Sequence, residues 1–461
     1  MKEKEEEYSG IFDLKVDDVK GIKAASKNGK QDDMEMTDDF KEAWEAIENS
    51  GDPAIILGEA GSGKSTFIRY VMRNTSKRTV LLAPTGVAAV NIGGQTVHSF
   101  FSFPPRPLTH NNIKLVPEYD LIKYEKVETI IIDEASMVRV DMLDGIDHFL
   151  RTNLSSDAPF AGKQVILVGD LSQLPPVVGT DAEKEMMQAQ WGSEYFFSAD
   201  VLQKVGYRKI YFSKIFRQKD PAFLNMLNKM RNAELTQSDV DDINAKCYKG
   251  GRADYSQKVT ICAVNASADQ INDMELSKLP GDRVQLVGSV VGSFVPKNCP
   301  ADEIITVKRG CRVMMLTNNQ ERKWINGTIG TLTDVDLEAA EPFVKVRIGD
   351  SEHTVLRHEF ETVRFKYDAK EKKMGTDKSG SFSQFPIRLA WANTIHKSQG
   401  HTYDEVNIEF GRGAFAHGMA YVAFSRCRTL KGITLLTRIN VNDFIYDKRI
   451  RHYVDSFDRR L

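Results

Sequence analysis

The chain has 461 residues, 41% of them hydrophobic, and its 62 Lys and Arg residues nearly balance its 64 Asp and Glu residues. This length is enough for about three domains with their own cores, and the balanced charge excludes a simple basic coat for nucleic acid. No stretch approaches the roughly 20 consecutive apolar residues that cross a bilayer, and the charged start lacks the apolar core of a secretory signal. We therefore expect a cytoplasmic protein, associated with the nucleoid if its source is bacterial.

The cysteines and the charge distribution refine this expectation. The five cysteines are scattered without any CxxC spacing, which predicts reduced structural thiols and neither zinc nor a redox pair: Cys247, Cys262, Cys299, Cys311 and Cys427. Residues 1–50 have a net charge of −7, so the other 411 residues carry +5. Residues 1–33 combine charge clusters with few apolar side chains, which predicts a mostly disordered acidic leader.

The first predicted element is a helix in the segment that follows Met36. Thr37 is a plausible N-cap, acids occupy the first turn, and apolar residues recur at helical spacing. Short runs rich in Leu and β-branched residues then alternate with helical patterns at 54–57, 80–83, 129–133 and 164–170. Because continuous apolar runs are typical of strands buried on both faces, they predict a parallel sheet covered by helices.

A second alternating set of runs lies at 210–212, 259–264, 406–410 and 433–437, which predicts a second α/β domain. The stretch 282–384 differs, because its runs are separated by Asn, Gly and Pro signals that indicate a small antiparallel β domain. Its last part, 367–383, has the composition of a long exposed hairpin or loop. We predict domains at 34–196, at 197–281 with 385–461, and at 282–384, the last inserted into the second.

The most specific motif is a phosphate-binding loop that follows the first strand and precedes a helix. It fits the pattern G-x4-G-K-[ST] and comprises Gly58, Gly61, Ser62, Gly63, Lys64 and Ser65, with Thr66 in the next position. In such a loop backbone amides surround the phosphates at a helix N-terminus, the lysine reaches the β and γ phosphates, and the hydroxyl binds magnesium. These residues predict a nucleoside triphosphate site with Mg²⁺.

A second acidic motif completes a nucleoside triphosphatase. Asp133 and Glu134 follow an apolar strand, where Asp133 is suited to hold magnesium and Glu134 to orient and deprotonate the attacking water. Hydrolysis also needs a γ-phosphate sensor and a cation from another domain, for which Gln173, Arg217 and Arg426 are candidates. Taken alone, the arginines could equally be surface residues and the glutamine a loop polar group.

Seven motifs in this order resemble the petite-integration-frequency (Pif) family of DNA helicases. They are GEAGSGKST, APTGVAAVNIGGQTVHSF, IIDEASM, VGDLSQLPPV, IFRQ, TIHKSQG and YVAFSRCR, and with the segment after Glu134 they cover about residues 36–440. This family belongs to the 5′-to-3′ branch of helicase superfamily one, with RecD-like and Dda-like relatives. The resemblance implies two RecA-like domains of the P-loop type, a small inserted β-barrel-like domain, and ATP-dependent movement along single-stranded DNA.

The resemblance also implies roles by position. Gln173 matches the γ-phosphate sensor, Arg217 and Arg426 match the arginine fingers, and Gly400 approaches the nucleotide. The matching DNA contacts are Thr85, Gly86, His98 and Phe100 in the first domain and Thr394, His396, Lys397 and Ser398 in the second. Hydroxyls, amides and a lysine grip phosphates without reading bases, and an aromatic ring stacks a base. Phe100 could instead be a core aromatic, and both histidines could be structural.

One departure from the family concerns adenine. Many relatives place a glutamine in the helix before the phosphate loop, whereas this chain has Phe40 near that position and Gln31 only upstream. Between Phe101 and Glu128 lies a short insert with three prolines in FPPRP, which is either a pin that splits the duplex or a rigid connecting loop.

The predicted function is a monomeric ATP-dependent helicase that moves 5′ to 3′ and opens forked DNA in replication, repair, recombination or telomere maintenance. Two alternatives remain open at this stage. The first is a translocase on RNA or on RNA–DNA hybrids, because the motifs do not specify the sugar. The second is a nucleotide-switched nucleic-acid-binding module in which unwinding is incidental.

Overall fold

The structure is a computed structural model that describes residues 36–104, 106–216, 220–250, 255, 258–296, 299–319, 321, 323–324, 326–368, 373–399 and 401–457. The predicted leader, Arg217 and Gly400 lie outside the described residues. Residues 39–461 form one compact unit, and all contacts below belong to it. Within the described ranges no helix has the length and apolar character needed to span a membrane.

The helices begin after a short N-terminal segment and recur throughout the α/β parts of the chain. In chain order they are α1 Asp38–Glu48, α2 Lys64–Asn74, α3 Gly86–Ile92, α4 Val97–Phe100, α5 Glu118–Lys126, α6 Val140–Asn153, α7 Asp181–Trp191, α8 Asp200–Lys204, α9 Pro221–Arg231, α10 Gln237–Cys247, α11 Asn265–Lys278, α12 Met419–Ser425 and α13 Lys448–Val454.

The strands fall into five sheets. In chain order they are β1 Ala54–Gly58, β2 Thr79–Ala83, β3 Gln95–Thr96, β4 Thr129–Ile132, β5 Gln164–Gly169, β6 Arg208–Phe212, β7 Val259–Cys262, β8 Val284–Val287, β9 Ser289–Gly292, β10 Ile304–Val307, β11 Arg312–Met315, β12 Ile329–Asp336, β13 Phe343–Ile348, β14 Ser351–Leu356, β15 His358–Asp368, β16 Lys373–Gln384, β17 Ile387–Leu389, β18 Ala392–Thr394, β19 Val406–Glu409 and β20 Ile433–Leu435.

The first sheet is entirely parallel, with the order β3-β2-β4-β5-β1-β6. Every residue of β1, β2, β4 and β5 is buried, as the continuous apolar runs predict for strands covered on both faces. The assignment of 210–212 to the second domain is wrong, because β6 pairs with β1 in this first sheet. A short apolar run carries no information on which of two sheets it joins.

The second sheet is also parallel, with the order β18-β7-β19-β20. Its strands pack with helices α9, α10 and α12 in a core that includes Phe223, Ile261 and Phe424. The chain therefore has the α/β fold with two parallel sheets that the sequence predicts. We call the parts around the first and second sheets the first and second halves.

Antiparallel strands fill the stretch between β7 and β18. They form the ladders β10-β8, β14-β13-β12-β11-β17 and β15-β16-β9, which agrees with the predicted antiparallel character of 282–384. The predicted boundary at 385 is too early, because β17 pairs with β11 and so belongs to the antiparallel part. Its apolar face contributes Ile387 to the core beside Val313.

The long hairpin of β15 and β16, which the sequence predicts as a hairpin or loop, reaches the first half. The backbone N–H of Phe365 donates to Gln95 Oε1 at 3.2 Å, and the Phe365 ring packs against Phe100 with a centroid distance of 6.1 Å. Gln95 in turn donates to Ser99 Oγ at 2.9 Å. The antiparallel part thus bridges back to the first sheet.

The C-terminal helix also returns to the first half. Arg449 donates to both carboxylate oxygens of Glu194 at 3.0 and 3.1 Å, and Tyr195 donates its hydroxyl proton to Asp447 at 3.0 Å. The ring of Tyr453 stacks on Phe197 with a centroid distance of 4.4 Å. The chain therefore crosses between the halves twice, after β6 and before α13.

All five cysteines are buried thiols without a disulfide partner, as the sequence predicts. Burial raises the pKa of Cys262, Cys299 and Cys311 to about 12, so these thiols stay protonated and unreactive at neutral pH.

Candidate nucleotide and nucleic-acid site

The phosphate loop lies where the first strand meets helix α2. Strand β1 ends at Gly58, α2 begins at Lys64, and Gly61 and Gly63 both have φ of +88°, a conformation that favours glycine. The first intrahelical bond of α2 runs from Phe67 N–H to Gly63 O at 2.9 Å. The amides of the preceding three residues therefore face the loop, which is the arrangement that binds phosphate at a helix N-terminus.

Lys64 is the cation of this loop. Its Nζ donates to the carbonyl oxygens of Gly58 and Glu59, both at 2.8 Å. These contacts aim the ammonium group along the inside of the loop, where a triphosphate would compete with the two carbonyls for its protons. The side chain is thus in position for the phosphate contact that the motif predicts.

Phe40 supports the loop from beneath, at the position where relatives carry glutamine. The ring is buried and packs against Phe212 at 4.5 Å and Phe67 at 5.4 Å between centroids. A Cβ on Gly63 would lie 2.9 Å from this ring, so glycine is required there for two reasons. At this position the chain offers an apolar support and no amide that could read adenine.

The two acids of the second motif follow β4 directly. Asp133 is buried, and burial raises its pKa although the Glu134 amide donates to its Oδ1 at 2.9 Å. Glu134 adopts a left-handed backbone with φ 52° and ψ 46°, which is uncommon for a residue with a side chain. Burial first and the Asp133 charge second raise the pKa of Glu134, while Lys64 and Arg426 oppose the rise.

The next loop at the same sheet edge carries Gln173. Strand register places Gly58 opposite Asp170, because Leu57 pairs with Gly169. Asp170 Oδ2 accepts from Gln173 Nε2 at 3.1 Å, and Gln173 Oε1 accepts from Gln399 of the second half at 3.4 Å. The predicted sensor therefore joins the first half to the segment that contains TIHKSQG.

Arg426 approaches the acids from the second half. It follows helix α12, is 1% exposed, and donates from Nε to Val422 O at 3.1 Å and from Nη2 to Ser425 Oγ at 2.9 Å. Burial raises the pKa of the Glu134 carboxyl, and the charge of Arg426 opposes that rise. The other predicted finger, Arg217, lies outside the described residues.

Two contacts from the second half reach the phosphate loop. Arg231 pairs with the Glu59 carboxylate, and the Tyr421 hydroxyl accepts from the backbone of Ala60, which lowers a pKa that burial raises. Ala60 itself packs in the core of the second half. Arg231 lies in none of the seven motifs, whereas Tyr421 is the first residue of YVAFSRCR, although the motif does not indicate this contact.

The predicted DNA residues of the second half divide into two groups. His396 and Lys397 are exposed, and Lys397 lies 3.6 Å from Asp302. Thr394 and Ser398 are buried: Thr394 Oγ1 accepts from the Lys397 amide at 3.3 Å, and Ser398 Oγ donates to Thr394 O at 2.8 Å. Their hydroxyls therefore shape the turn that exposes the other two, a task different from the predicted direct grip.

In the first half the prediction for Phe100 needs correction. Its ring is 1% exposed and makes edge contacts with Phe101 at 4.8 Å and Tyr124 at 5.3 Å. No ring face is open to a base, so Phe100 is the core aromatic that the sequence left as its alternative. The reason is the apolar surface of α5 and β15, which covers it from positions far along the chain.

The remaining predicted residues of the first half lie beyond the carboxyl ends of β2 and β3. Thr85 caps helix α3 by accepting from the Ala88 amide at 3.3 Å, and Gly86 is the first residue of that helix. His98 is half-buried, and burial together with the charge of Arg139 lowers its pKa, so it is neutral at pH 7. In open parallel sheets, ligands bind at the edge that the carboxyl ends of the strands form, so these residues lie where a ligand is expected.

Comparison with known proteins agrees with this geometry. Residues 35–241 match the family of PIF1-like helicases. The chain is 31% identical over 419 residues to the ATP-dependent DNA helicase Pif1 of Bdellovibrio bacteriovorus, which covers 89% of each chain.

Two solved structures of Pif1 from Bacteroides resemble the fold, each at 33% identity and covering 92% of this chain and 97% of theirs. The TM-score is 0.83 for the complex with ADP-AlF4 and 0.67 for the structure bound to ssDNA. The sequence match to a relative of similar length, the shared fold and the composite phosphate site lead to one conclusion. The chain belongs to the family of PIF1-like helicases.

Proposed function

We propose that this ATP-dependent DNA helicase moves 5′ to 3′ along single-stranded DNA and separates the duplex ahead of it. The observation that carries the proposal is that both halves form the phosphate site. Arg231 of the second half pairs with Glu59 of the phosphate loop. Gln399 of the second half donates to Gln173 of the first at 3.4 Å. A site completed by two bodies couples hydrolysis to their relative motion. Thr85 and His396, for which we propose contacts with the strand, lie on these same two bodies.

In the proposed reaction, water attacks the γ-phosphorus of ATP while the Glu134 carboxylate accepts its proton. The bond from the γ-phosphorus to the β–γ bridging oxygen breaks, and ADP leaves with that electron pair. Lys64 stabilises the charge on the β and γ phosphates, Gln173 contacts the γ-phosphate, and Arg426 neutralises charge on the transferring group, with Arg217 as a second finger. Gly61, Ser62, Gly63, Thr66 and Gly400 would line the nucleotide.

A magnesium ion fits the residues that the chain supplies. The hydroxyl of Ser65 lies in the first turn of α2, and Asp133 is a buried carboxyl whose pKa burial raises. Among the described residues no group of three or more His, Cys, Asp and Glu side chains could hold a metal. In nucleotide sites the substrate phosphates supply further ligands to the ion. When bound, the ion would neutralise charge on the β and γ phosphates.

Closure and opening of the cleft would move DNA. The two halves would grip the strand alternately, so that it advances by about one nucleotide per cycle. The gripping residues would be His396 and Lys397 in the second half and Thr85, Gly86 and His98 in the first. The higher TM-score with the ADP-AlF4 complex than with the ssDNA-bound structure supports a change of conformation on binding DNA.

The insert between Phe101 and Glu128 would split the duplex, although through residues other than those in the proline segment. Phe103 is buried, and the Leu108 amide donates to Asp141 at 2.7 Å, which ties this segment to α6. Among the described residues of the same insert, the most exposed apolar side chains are Leu115, 71% exposed, and Tyr119, 78% exposed. We assign the separating surface to these two residues.

The proposal extends to the setting of the reaction. A monomer would suffice as the motor, because one chain would supply both the nucleotide contacts and the strand contacts. RNA–DNA hybrids are included as substrates because exposed His396 and Lys397 can bind phosphate of either strand. The enzyme would work in the cytoplasm on the chromosome, in replication, repair or recombination.

Partial duplexes with a 5′ or a 3′ single-stranded tail test the proposal. With ATP and Mg²⁺ we expect opening of the 5′-tailed duplex only, and no opening by Lys64→Ala. Tyr119→Ala is expected to retain DNA-stimulated hydrolysis but to open duplex at least about tenfold more slowly, since one unstacked base pair costs a few kcal/mol. Opening of only the 3′-tailed duplex would contradict the proposed direction.

A further inference from the structure

A buried arginine of the second half reaches the phosphate loop of the first. Arg231 is the last residue of α9, and Phe223, Leu227 and Met230 anchor this helix in the core of the second half. The side chain is 6% exposed. Its position is therefore determined by the second half, while its guanidinium group makes its contacts elsewhere.

The three polar partners of Arg231 all belong to the first half. The guanidinium pairs with the Glu59 carboxylate, Nε donates to Ser172 Oγ at 2.7 Å, and Nη2 donates to the Tyr211 hydroxyl at 2.6 Å. A planar guanidinium offers donors in a fixed fork, so it holds these partners in one mutual arrangement.

Each partner lies beside a group of the nucleotide site. Glu59 is held from two sides, because its main-chain carbonyl accepts from Lys64 Nζ at 2.8 Å while its carboxylate pairs with Arg231. Ser172 immediately precedes the sensor Gln173. Arg231 therefore contacts Glu59, whose carbonyl binds Lys64. It also contacts Ser172, which precedes Gln173.

We propose that Arg231 is a positioning residue that couples the state of the phosphate loop to the second half through Glu59 and Ser172. This inference rests on the proposed function. When phosphates take the Lys64 ammonium group, the Glu59 carbonyl loses a donor and the loop can shift. The Glu59 carboxylate transmits that shift to Arg231 and so to helix α9.

An ion pair that only stabilises the fold would behave differently. Its loss would lower the melting temperature and leave kcat and the effect of nucleotide on DNA affinity unchanged in the folded protein. A coupling residue changes the linkage between the two ligands, which is a reciprocal free energy of binding. The distinction can therefore be measured without relying on stability.

The test compares Glu59→Gln, Arg231→Lys and the double variant with the wild-type chain. Lys229→Gln is the matched control, since Lys229 lies on the same helix and pairs with Asp239 inside the second half at 2.9 Å. The measurements are DNA-stimulated kcat, the KM for ATP, and the DNA affinity with and without a non-hydrolysable ATP analogue.

We expect each single variant to lower kcat by about tenfold. We also expect each to reduce by about fivefold the change in DNA affinity that the ATP analogue causes, which is at the lower end of typical coupling free energies. The double variant should lose little more than either single variant, because both disrupt one contact. Unchanged kcat and coupling in both singles, or losses that multiply, would overturn the proposal. A wild-type chain without any DNA stimulation would overturn the proposed function and this inference with it.

Discussion

At the scale of single residues, the catalytic acids are distinguished by strain and by charge. Glu134 accepts an unfavourable left-handed backbone, a cost of about 1–3 kcal/mol for a residue with a side chain. Its carboxyl is also crowded by burial and by Asp133, which both raise its pKa. A carboxyl group with a strained backbone and an adjacent negative charge lowers the stability of the fold, which indicates that its role is chemical.

We expect Glu134→Gln to lower DNA-stimulated kcat by about 10²–10⁴-fold, because the amide cannot accept the proton of the attacking water. Affinity for ATP should change little, since Lys64 and the loop amides stay in place. Steady-state hydrolysis and binding of a fluorescent ATP analogue measure the two quantities. Lys64→Ala is the contrasting variant, which should lose nucleotide affinity as well. Wild-type kcat in Glu134→Gln would refute its assignment as the base.

Residues of the nucleotide site were predictable from sequence where their chemistry depends on local spacing. Lys64, Asp133 and Glu134 each follow a strand within a short motif, so the motif fixes their geometry. Arg231 contacts the loop across more than 150 residues from outside every motif, and the motif that begins at Tyr421 does not indicate that residue's contact with the loop. Phe100 was misjudged because an aromatic side chain reads alike in a core and in a binding surface.

At the scale of elements, helix α12 depends on a glycine at its entrance. Gly418 caps the helix with φ +70°, and a Cβ there would lie 2.7 Å from the carbonyl oxygen of Gln173. His417 beside it bonds to Leu171 O at 2.9 Å. The start of α12 thus lies directly against the loop that carries Gln173, and Arg426 follows the other end of the helix.

Gly418→Ala should destabilise the protein by about 1–3 kcal/mol and also lower kcat, because the methyl group displaces α12 and its arginine from the sensor loop. Gly411→Ala is the matched control: it has φ +62°, but its Cβ would meet only Glu409 Oε1, at 3.9 Å. Thermal unfolding and steady-state hydrolysis measure the two effects. Equal kcat in the two variants would show that the close approach is irrelevant to hydrolysis.

At the scale of the whole molecule, the hairpin of β15 and β16 connects the antiparallel part to the first half. Phe365 is its contact residue, through the Gln95 amide oxygen and the Phe100 ring. The sequence predicts the hairpin from its composition but not where it docks, because the docking contact joins residues 270 positions apart. The prediction placed β6 in the wrong sheet for the same reason, because its pairing with β1 joins residues that are far apart in the sequence.

We expect Phe365→Ala to shorten the length of duplex opened per binding event severalfold, because loss of a buried aromatic weakens the bridge by about 3–5 kcal/mol. Hydrolysis stimulated by short single strands should persist. Lys366→Ala is the control, since Lys366 is exposed and pairs only within the hairpin, with Asp377 at 3.3 Å. Single-turnover unwinding of duplexes of increasing length measures the effect. Equal lengths for both variants would contradict a role for the bridge.

The two crossings of the chain between the halves have a mechanical consequence. One tether leaves β6 for α9, and the other runs from Phe444, packed in the core of the second half, to the Arg449–Glu194 pair on the first. A body attached at two points turns about the line that joins them and resists sliding or pulling apart. Two such tethers would favour a hinge-like rotation of one half against the other during the nucleotide cycle.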